Sequence, residues 1–325
     1  MKRSIAIVVS CLLVIAMVSG GASAKAIQAK FGHGNNPMDP RHEAAVLFAN
    51  LVAEKTNGEI EIQVFPSASL GSDEDMIEQL QLNISQFAAP GVGSISPLAP
   101  DLNVLEMPFL FDSFEKAWKV LDGPIVQKLI EPLPARGIRV LAFWENGFRN
   151  VTNGRRPIEK PEDLMGLKIR VPNWEMSVAT FQAMEAQVTP MAWPEVYLAL
   201  QQGTIDAQEN PLTVIYQAGL YEVQKYLSLT RHQYSPLPLL VSERFWQSLS
   251  REHQDAIMEA AHEAKVFHRN RIASDDERLV SELEAKGMIV SYPDTEPFRQ
   301  KAQAVYKRYG ERFGSLLDEI LAMTE

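Results

Sequence analysis

The sequence predicts an α/β fold arranged as two lobes. Strand-like and helix-like periodicities alternate from residue 26 to about residue 230, as in mostly parallel sheets covered by helices. The chain has 325 residues, a length that favours two lobes over one hydrophobic core. Beyond residue 250 the pattern changes to long helices, which often brace two lobes but also form ordinary outer layers.

The amino terminus has the pattern of a secretory signal peptide. Lys2 and Arg3 precede an apolar run, and a small-residue cleavage motif ends at Ala24. We expect removal of residues 1–24 and export to the periplasm. A retained membrane anchor is the alternative, but the apolar run is short and leads directly into the cleavage motif. A lipoprotein cut at Cys11 would fall inside the apolar run.

Cysteine content and charge exclude several classes of function. Cys11 is the only cysteine, so the mature chain would have no disulfide, no thiolate metal site and no cysteine nucleophile. The formal net charge is −10, or −12 once Lys2 and Arg3 leave with the signal peptide. This balance argues against nucleic acid as a partner, because nucleic acid would need a basic face. It allows a small anion, which responds to local charges in a cleft.

The first elements follow from periodicity and turn signals. Ser72 and Asp75 resemble a capping box that opens a helix. The predicted order is strand 26–34, helix 41–56, strand 59–65 and helix 73–82. Such a start is typical of an α/β lobe.

The segment GLKIRVPN, residues 166–173, is predicted to be a short strand. Apolar residues alternate with Lys168 and Arg170, and Pro172 ends the strand because proline cannot donate to a β-ladder. The arginine at the end of this half-buried strand has two interpretations. It is either a solvated edge charge or a clamp for an anion.

The segment MAWPEVYLALQQGTIDAQENP, residues 191–211, combines a helix with a following strand. Gly203 suits the position just after the helix, and Asn210 is held extended by the proline that follows it. Ligands of open α/β sheets bind outside the carboxyl ends of strands. We expect Arg170, Arg149 and Asn210 at three such strand ends, where they would form a donor set for a carboxylate.

The last third of the chain is predicted to be helical. Residues 251–286 contain no proline and no mid-helix glycine, and small or apolar residues recur at steps of three and four. The segment 296–324 is predicted to be helical again, with a break at Gly310 or Gly314.

Motifs of the common enzyme classes do not occur. The sequence contains no Gly-x-Gly-x-x-Gly, no Walker loop, no His-Glu-x-x-His and no Gly-x-Ser-x-Gly. Carboxylate pairs such as Asp206 and Glu209 leave a glycosidase open, although such pairs are common in an acidic protein. We therefore expect no catalytic residues, no cofactor and no metal site.

Five blocks together resemble the DctP-type solute-binding proteins of TRAP transporters, the tripartite periplasmic uptake systems. They are FPSASLGSDEDMIEQ, MPFLF, WENGFRNVTN, LMGLKIRVPN and EVYLALQQGTIDAQENP. The resemblance covers essentially the whole mature chain. It implies a two-lobed fold like that of type II periplasmic binding proteins, a ligand cleft between the lobes and a long helix bracing both. It also implies closure on the ligand and delivery to a membrane permease, without catalysis.

The resemblance also implies the ligand-binding residues. The main carboxylate-binding arginine of the family falls on Arg170, a second arginine on Arg149, and the pocket asparagine on Asn210. The family usually has glycine where this chain has Ala207. Further candidates for ligand contacts are Trp193, Trp144, Asn36 and Glu74.

We expect 25–146 and about 235–274 in one lobe, and 147–234 and about 275–325 in the other. The expected ligand is a sugar acid such as a uronate or aldonate, with a C4-dicarboxylate second and a metal-bridged 2-oxo acid left open. We expect a monomer. Alternative functions are a binding protein for an ATP-driven importer or a sensor kinase, and a periplasmic hydrolase.

Overall fold

The computed structural model describes residues 25–324. The predicted signal peptide and Cys11 lie outside the described residues. None of the helices within this described range combines the length and the hydrophobicity of a membrane-spanning segment.

Among residues 25–324, nine strands form one mixed sheet in the order β2-β1-β3-β8-β4-β7-β5-β6, with β9 beside β8. The strands are β1 Ile27–Gly32, β2 Ile60–Phe65, β3 Phe87–Ala88, β4 Ile138–Asn153, β5 Lys168–Val171, β6 Gln187–Pro190, β7 Ala207–Pro211, β8 Tyr226–Ser242 and β9 Ile289–Ser291. The strand pairs at the two ends of the sheet, β1–β2 and β5–β6, are parallel, whereas the central β4–β8 pair is antiparallel.

The helices cover this sheet. They are α1 Pro40–Lys55, α2 Asp73–Gln81, α3 Val92–Ile95, α4 Phe114–Leu121, α5 Pro124–Ile130, α6 Glu175–Ala183, α7 Val196–Gln201, α8 Leu212–Gln217, α9 Glu243–Ser248, α10 Arg251–Ala285, α11 Glu296–Phe313 and α12 Ser315–Thr324. Short 3₁₀ turns occupy Pro100–Glu106, Pro134–Arg136, Pro161–Leu164, Trp193–Glu195 and Leu220–Glu222.

Local sequence signals explain several boundaries. The predicted capping box is present at α2, where Ser72 accepts from the backbone of Asp75 and the Asp75 carboxylate accepts from the backbone of Ser72. Gly203 follows α7 with φ of 68°, a left-handed conformation that glycine adopts at little cost. Gly314, with φ of 50°, separates α11 from α12.

The two central strands belong to both lobes. β4 has 16 residues and β8 has 17, and they pair along almost their full length with three register shifts. We call the part around β1–β3, with α1–α5 and α9, the first lobe. We call the part around β5–β7, with α6–α8 and α11, the second lobe. A bulged pair of long strands thus connects the two lobes.

One helix spans the two lobes. The 35 residues of α10 form a single helix that packs on α1 and β4 and also on α8. Its first half buries Ile257 and Ala264 beside Phe48, whereas its second half buries Leu279 and Leu283 in the core of the second lobe. The predicted bracing helix is therefore present.

The end of the chain returns to the first lobe. α11 packs on α6, but α12 packs on α4, where Leu317 and Ile320 share a core with Val120. This packing corrects the expectation that all of 275–325 belongs to the second lobe. The turn at Gly314 redirects the chain, and the apolar side of α12 needs a partner that α4 supplies.

Candidate functional site

A cleft between the lobes holds a pocket of about 570 Å³, including the part open to solvent. Clefts between lobes are common sites for small ligands. The first lobe lines it with Gly34, Asn35, Arg41, Asp73, Glu74, Gly91 and Ser94. The second lobe and the crossing strands line it with Asn146, Arg149, Arg170, Pro172, Asn173, Trp174, Met191, Ala192, Trp193, Asn210 and Val214.

Arg170 lies at the end of β5, and two of the three nitrogens of its guanidinium donate hydrogen bonds within the protein. Its Nε and Nη2 donate to the Met191 carbonyl at 3.0 and 2.7 Å, and its Cζ lies 5.9 Å from the Trp193 ring centroid. Within the described residues, Nη1 has no hydrogen-bond partner and no carboxylate forms a salt bridge with this arginine. Burial lowers the pKa of Arg170 to about 10, so the side chain stays positive at neutral pH. The site therefore presents a buried cation with one free nitrogen.

Arg149 differs because its charge is already matched. Its Nε donates to Glu209 Oε2 at 2.5 Å and its Nη2 to Oε1 at 2.9 Å, in a bidentate pair. Burial raises the pKa of Glu209, but Arg149 and a hydrogen bond with His232 outweigh it and lower that pKa to about 2. Glu209 is therefore a carboxylate at neutral pH, and the pair carries no net charge.

The expectation that Arg149 ends a strand is wrong. Arg149 lies inside β4 and pairs with Pro211 of β7 and Gln233 of β8. It still reaches the pocket, because the antiparallel pairing sets it beside the carboxyl end of β7.

Two hydrogen bonds fix the orientation of the Asn210 side chain. Its Oδ1 accepts from Arg149 Nη2 at 3.2 Å and its Nδ2 donates to Gln208 Oε1 at 2.6 Å. Ala207 lies in β7 opposite Asn153 with a negative φ, so alanine fits there without strain.

The first lobe contributes acidic and backbone groups. Asp73 accepts from the Gly91 backbone N–H at 3.0 Å, and Glu74 beside it is exposed. Arg41 is buried and donates to Asn146 Oδ1 at 2.9 Å and to the Ala89 carbonyl at 3.3 Å. Burial raises the pKa of Asp73, although Arg41 opposes this effect.

A family model supports the assignment that this cleft suggests. The model for bacterial extracellular solute-binding protein, family 7, named DctP, matches residues 31–312. The chain belongs to the DctP family.

Characterised members of the DctP family resemble this chain over nearly its whole length. The 2,3-diketo-L-gulonate-binding periplasmic protein YiaO of Escherichia coli is 38% identical over 280 residues, which is 86% of this chain and 85% of YiaO. A TRAP periplasmic solute-binding protein from Polaromonas, solved with bound D-erythronate, superposes with a TM-score of 0.88 at 36% identity, covering 91% and 98% of the two chains. The sugar acid binding protein DctPAm from Advenella mimigardefordensis, solved with galactonate, gives 0.89 at 33% identity, covering 92% and 98%. The family and the two-lobed α/β fold predicted from the sequence are thus confirmed.

Among the predicted site residues of this DctP-family chain, five line the pocket. They are Arg170, Arg149, Asn210, Trp193 and Glu74. Asn36 lies in an adjoining pocket, where its Nδ2 donates to the Gln217 carbonyl at 2.6 Å across the lobes.

Trp144 is placed in the core and away from the pocket wall. It is 0% exposed and packs with Phe31 and His268. Its position in β4 points it into the first lobe, because side chains of a strand alternate between the two faces. This placement corrects the expectation of a ring contact from Trp144.

Sequence reasoning missed several lining residues. Arg41 lies in the first turn of α1, where an arginine resembles an ordinary surface charge, and Asp73 is the first residue of α2. Trp174 follows β5 and could have been found from the strand-end argument that selected Arg170. In the part of the chain that the structure describes, no group of three histidine, aspartate or glutamate side chains is placed to hold a metal ion.

Proposed function

We propose that this DctP-family protein captures a sugar acid in the periplasm and delivers it to the membrane permease of a TRAP transporter. One observation carries the proposal. Arg170 is buried and cationic, lines the cleft, and donates to a backbone carbonyl, and no carboxylate among the described residues forms a salt bridge with it. A buried charge is costly unless it is paired, and a ligand carboxylate supplies the missing partner.

The first-lobe groups favour hydroxyl groups at the other end of the ligand. Asp73 and Glu74 can accept hydrogen bonds from hydroxyls, and Asn35 and Asn146 add amide groups. A second carboxylate placed near Asp73 and Glu74 would meet repulsion. This chemistry favours a polyhydroxy monocarboxylate, in keeping with the galactonate and D-erythronate bound by the two related structures.

The binding free energy of a micromolar ligand requires several contacts in addition to Arg170. Charge-assisted hydrogen bonds contribute roughly 1.5–3 kcal/mol each, and a micromolar affinity needs about 8 kcal/mol. Arg170 alone would supply a fraction of that, so hydroxyl contacts and closure must contribute the remainder. Closure strengthens the polar contacts because it excludes water.

A C4-dicarboxylate is the second candidate. Arg41 favours it, because this further guanidinium lines the first-lobe side of the same pocket. Asn146 and Ala89 already occupy two of its nitrogens, and Asp73 lies nearby to offset its charge.

The remaining parts of the proposal concern export, assembly and activity. The signal pattern at residues 1–24 would export the chain, and the protein would act as a monomer. The carboxylates that suggested a hydrolase are occupied, since Glu209 pairs with Arg149 and Asp206 with Arg155. We infer a binding protein without catalysis.

The test is a binding screen of residues 25–325 against aldonates, uronates, C4-dicarboxylates and simple monocarboxylates. Thermal shift finds the class, because a ligand that binds only the folded state adds about 2.7 kcal/mol of stability at a hundredfold excess over Kd. Calorimetry then gives Kd, and mass spectrometry of denatured protein detects any acid that copurified. We expect a shift with one sugar-acid class and recovery of the acid unchanged. A protein that carries no acid and binds none would refute the proposal.

A further inference from the structure

Trp174 joins the two lobes at the edge of the pocket. It follows β5 in the second lobe, is only 7% exposed, and lies against residues 91–94 of the first lobe. Its indole Nε1 donates to Ser94 Oγ at 2.8 Å. This contact exists only while the lobes are together.

Two glycines make room for the indole. A Cβ at Gly91 would lie 2.1 Å from Trp174 Cζ2, and one at Gly93 would lie 2.3 Å from its Cγ. Neither glycine has a positive φ, so the requirement is for space rather than for backbone conformation. We call Gly91 and Gly93 the glycine seat.

The indole also contacts the binding site. The Arg149 guanidinium lies 5.2 Å from the Trp174 ring centroid, within range of a cation–π contact. The ring therefore contacts both Arg149 and the glycine seat. It connects the second-lobe arginines to the first lobe while forming part of the pocket wall.

Other hydrogen bonds also cross between the lobes. Asn103 Nδ2 donates to Glu175 Oε2 at 2.9 Å, one residue after the tryptophan, Asn36 donates to the Gln217 carbonyl, and side chains of α11 donate to carbonyls in residues 100–109. None of these pairs lines the pocket. Trp174 is thus an interlobe contact that opening would withdraw directly from the site.

We propose that Trp174 is the positioning residue for cleft closure. Its indole docks in the glycine seat, stabilises the closed arrangement and slows ligand release; we call this docked contact the latch. The inference rests on the proposed binding function. Docking depends mainly on the flat seat and is strengthened by the hydrogen bond to Ser94, and Trp174 needs no contact with the ligand carboxylate.

The experiment combines ligand-release rates with an interlobe distance. Residues 25–325 contain no cysteine, so Leu82→Cys and Met165→Cys place spin labels at exposed positions, one in each lobe. The probe ligand is the sugar acid with the largest thermal shift in the screen. Stopped-flow displacement gives its release rate.

Gly93→Ala should speed release at least tenfold and deplete the short, closed interlobe distance, because the new methyl occupies the place of the indole. Ser94→Ala should speed release two- to fivefold. Gly154→Ala is the matched control, since its Cβ meets only one atom, at 4.0 Å, and should change neither readout.

A double-mutant cycle separates the latch from a local folding defect. The Cβ of Gly93→Ala also approaches Glu106 Oε2 at 2.7 Å, so thermal unfolding of the ligand-free variant is measured as well. Without the indole, in Trp174→Ala, the Gly93 substitution should have little further effect on release. A full effect in that background, or unchanged release in both single variants, would overturn the latch.

The ligand-free arm distinguishes this inference from the binding proposal. Failure of every acid to bind would refute the proposed function alone. The labelled chain without ligand should still sample the short distance, less often in Trp174→Ala. An unmodified chain that never samples it, with or without acid, would refute the latch.

Discussion

The two walls of the cleft are built from different materials. The second-lobe wall consists of Arg149, Arg170 and Asn210, all buried and held on strands. The first-lobe wall includes Arg41, Asp73, Glu74 and the glycine seat, carried on helix starts and loops. Strands hold the two arginines of the second-lobe wall, whereas the first-lobe wall adds carboxylates beside its arginine, backbone groups and space for the opposite lobe to dock.

The walls also treat their buried carboxyls differently. Behind the second-lobe wall, Glu209 is ionised and paired with Arg149. Behind the first-lobe wall, Glu106 is 0% exposed, and no side chain among the described residues donates to either of its oxygens. Burial raises the pKa of Glu106 to about 8, although Arg149 opposes this effect. The comparison teaches that one carboxyl holds a binding arginine while the other is mostly neutral at pH 7.

Removal of the paired carboxylate should have the largest effect. Glu209→Ala leaves Arg149 buried without a partner and should lower the free energy of unfolding by about 3–5 kcal/mol. Chemical denaturation at pH 7 measures it. Asp255→Ala, which removes an exposed partner of Arg251, should cost under about 1 kcal/mol. Equal losses of unfolding free energy in the two variants would mean that the buried pair contributes no more to stability than the exposed pair.

Glu106→Gln should change the pH dependence of stability. The folded state keeps the proton up to about pH 8, whereas the unfolded chain releases it near pH 4.5, so this contribution to stability is lost as pH rises between those values. As pH rises from 5 to 8, the free energy of unfolding of the variant should increase by about 3 kcal/mol relative to that of the unmodified protein. Denaturation curves at several pH values measure the difference, and a constant difference would mean that Glu106 is ionised in the fold.

Arg170→Ala should weaken binding of the sugar acid about a hundredfold, or about 2.7 kcal/mol, with little loss of stability. Arg170→Lys should also weaken binding, because lysine cannot reproduce the planar fork. Calorimetry gives both affinities, and Arg155→Ala, whose side chain is 66% exposed, is the matched control. Unchanged affinity in Arg170→Ala would contradict the proposal that Arg170 binds the ligand carboxylate.

Asp73→Asn should have the smallest effect and act on selectivity. The amide keeps the size but removes the charge that disfavours a second carboxylate. The affinity ratio of sugar acid to C4-dicarboxylate should fall about tenfold, or about 1.4 kcal/mol. Glu78→Gln, exposed on the same helix, should leave the ratio unchanged. A ratio that rises in Asp73→Asn would contradict the role assigned to the first-lobe wall.

Much of the fold could be predicted from local patterns. The capping box of α2, the glycine after α7 and the single long helix α10 each depend on residues close in the chain. The extent of β4 and β8 could not be predicted, because their residues are buried on both faces and show no alternation. For the same reason, Arg149 was expected at a strand end and lies within a strand.

By itself, the sequence determined the order of elements, the long helix and the arrangement that sets Arg170 and Asn210 at neighbouring strand ends. Only the tertiary structure decided which tryptophan packs in a core and which one contacts the opposite lobe. Trp144 and Trp174 both lie near strands in apolar surroundings, yet the first fills a core and the second docks on the opposite lobe. Periodicity reports which side of an element is apolar, but the surface it meets comes from segments far away in the chain.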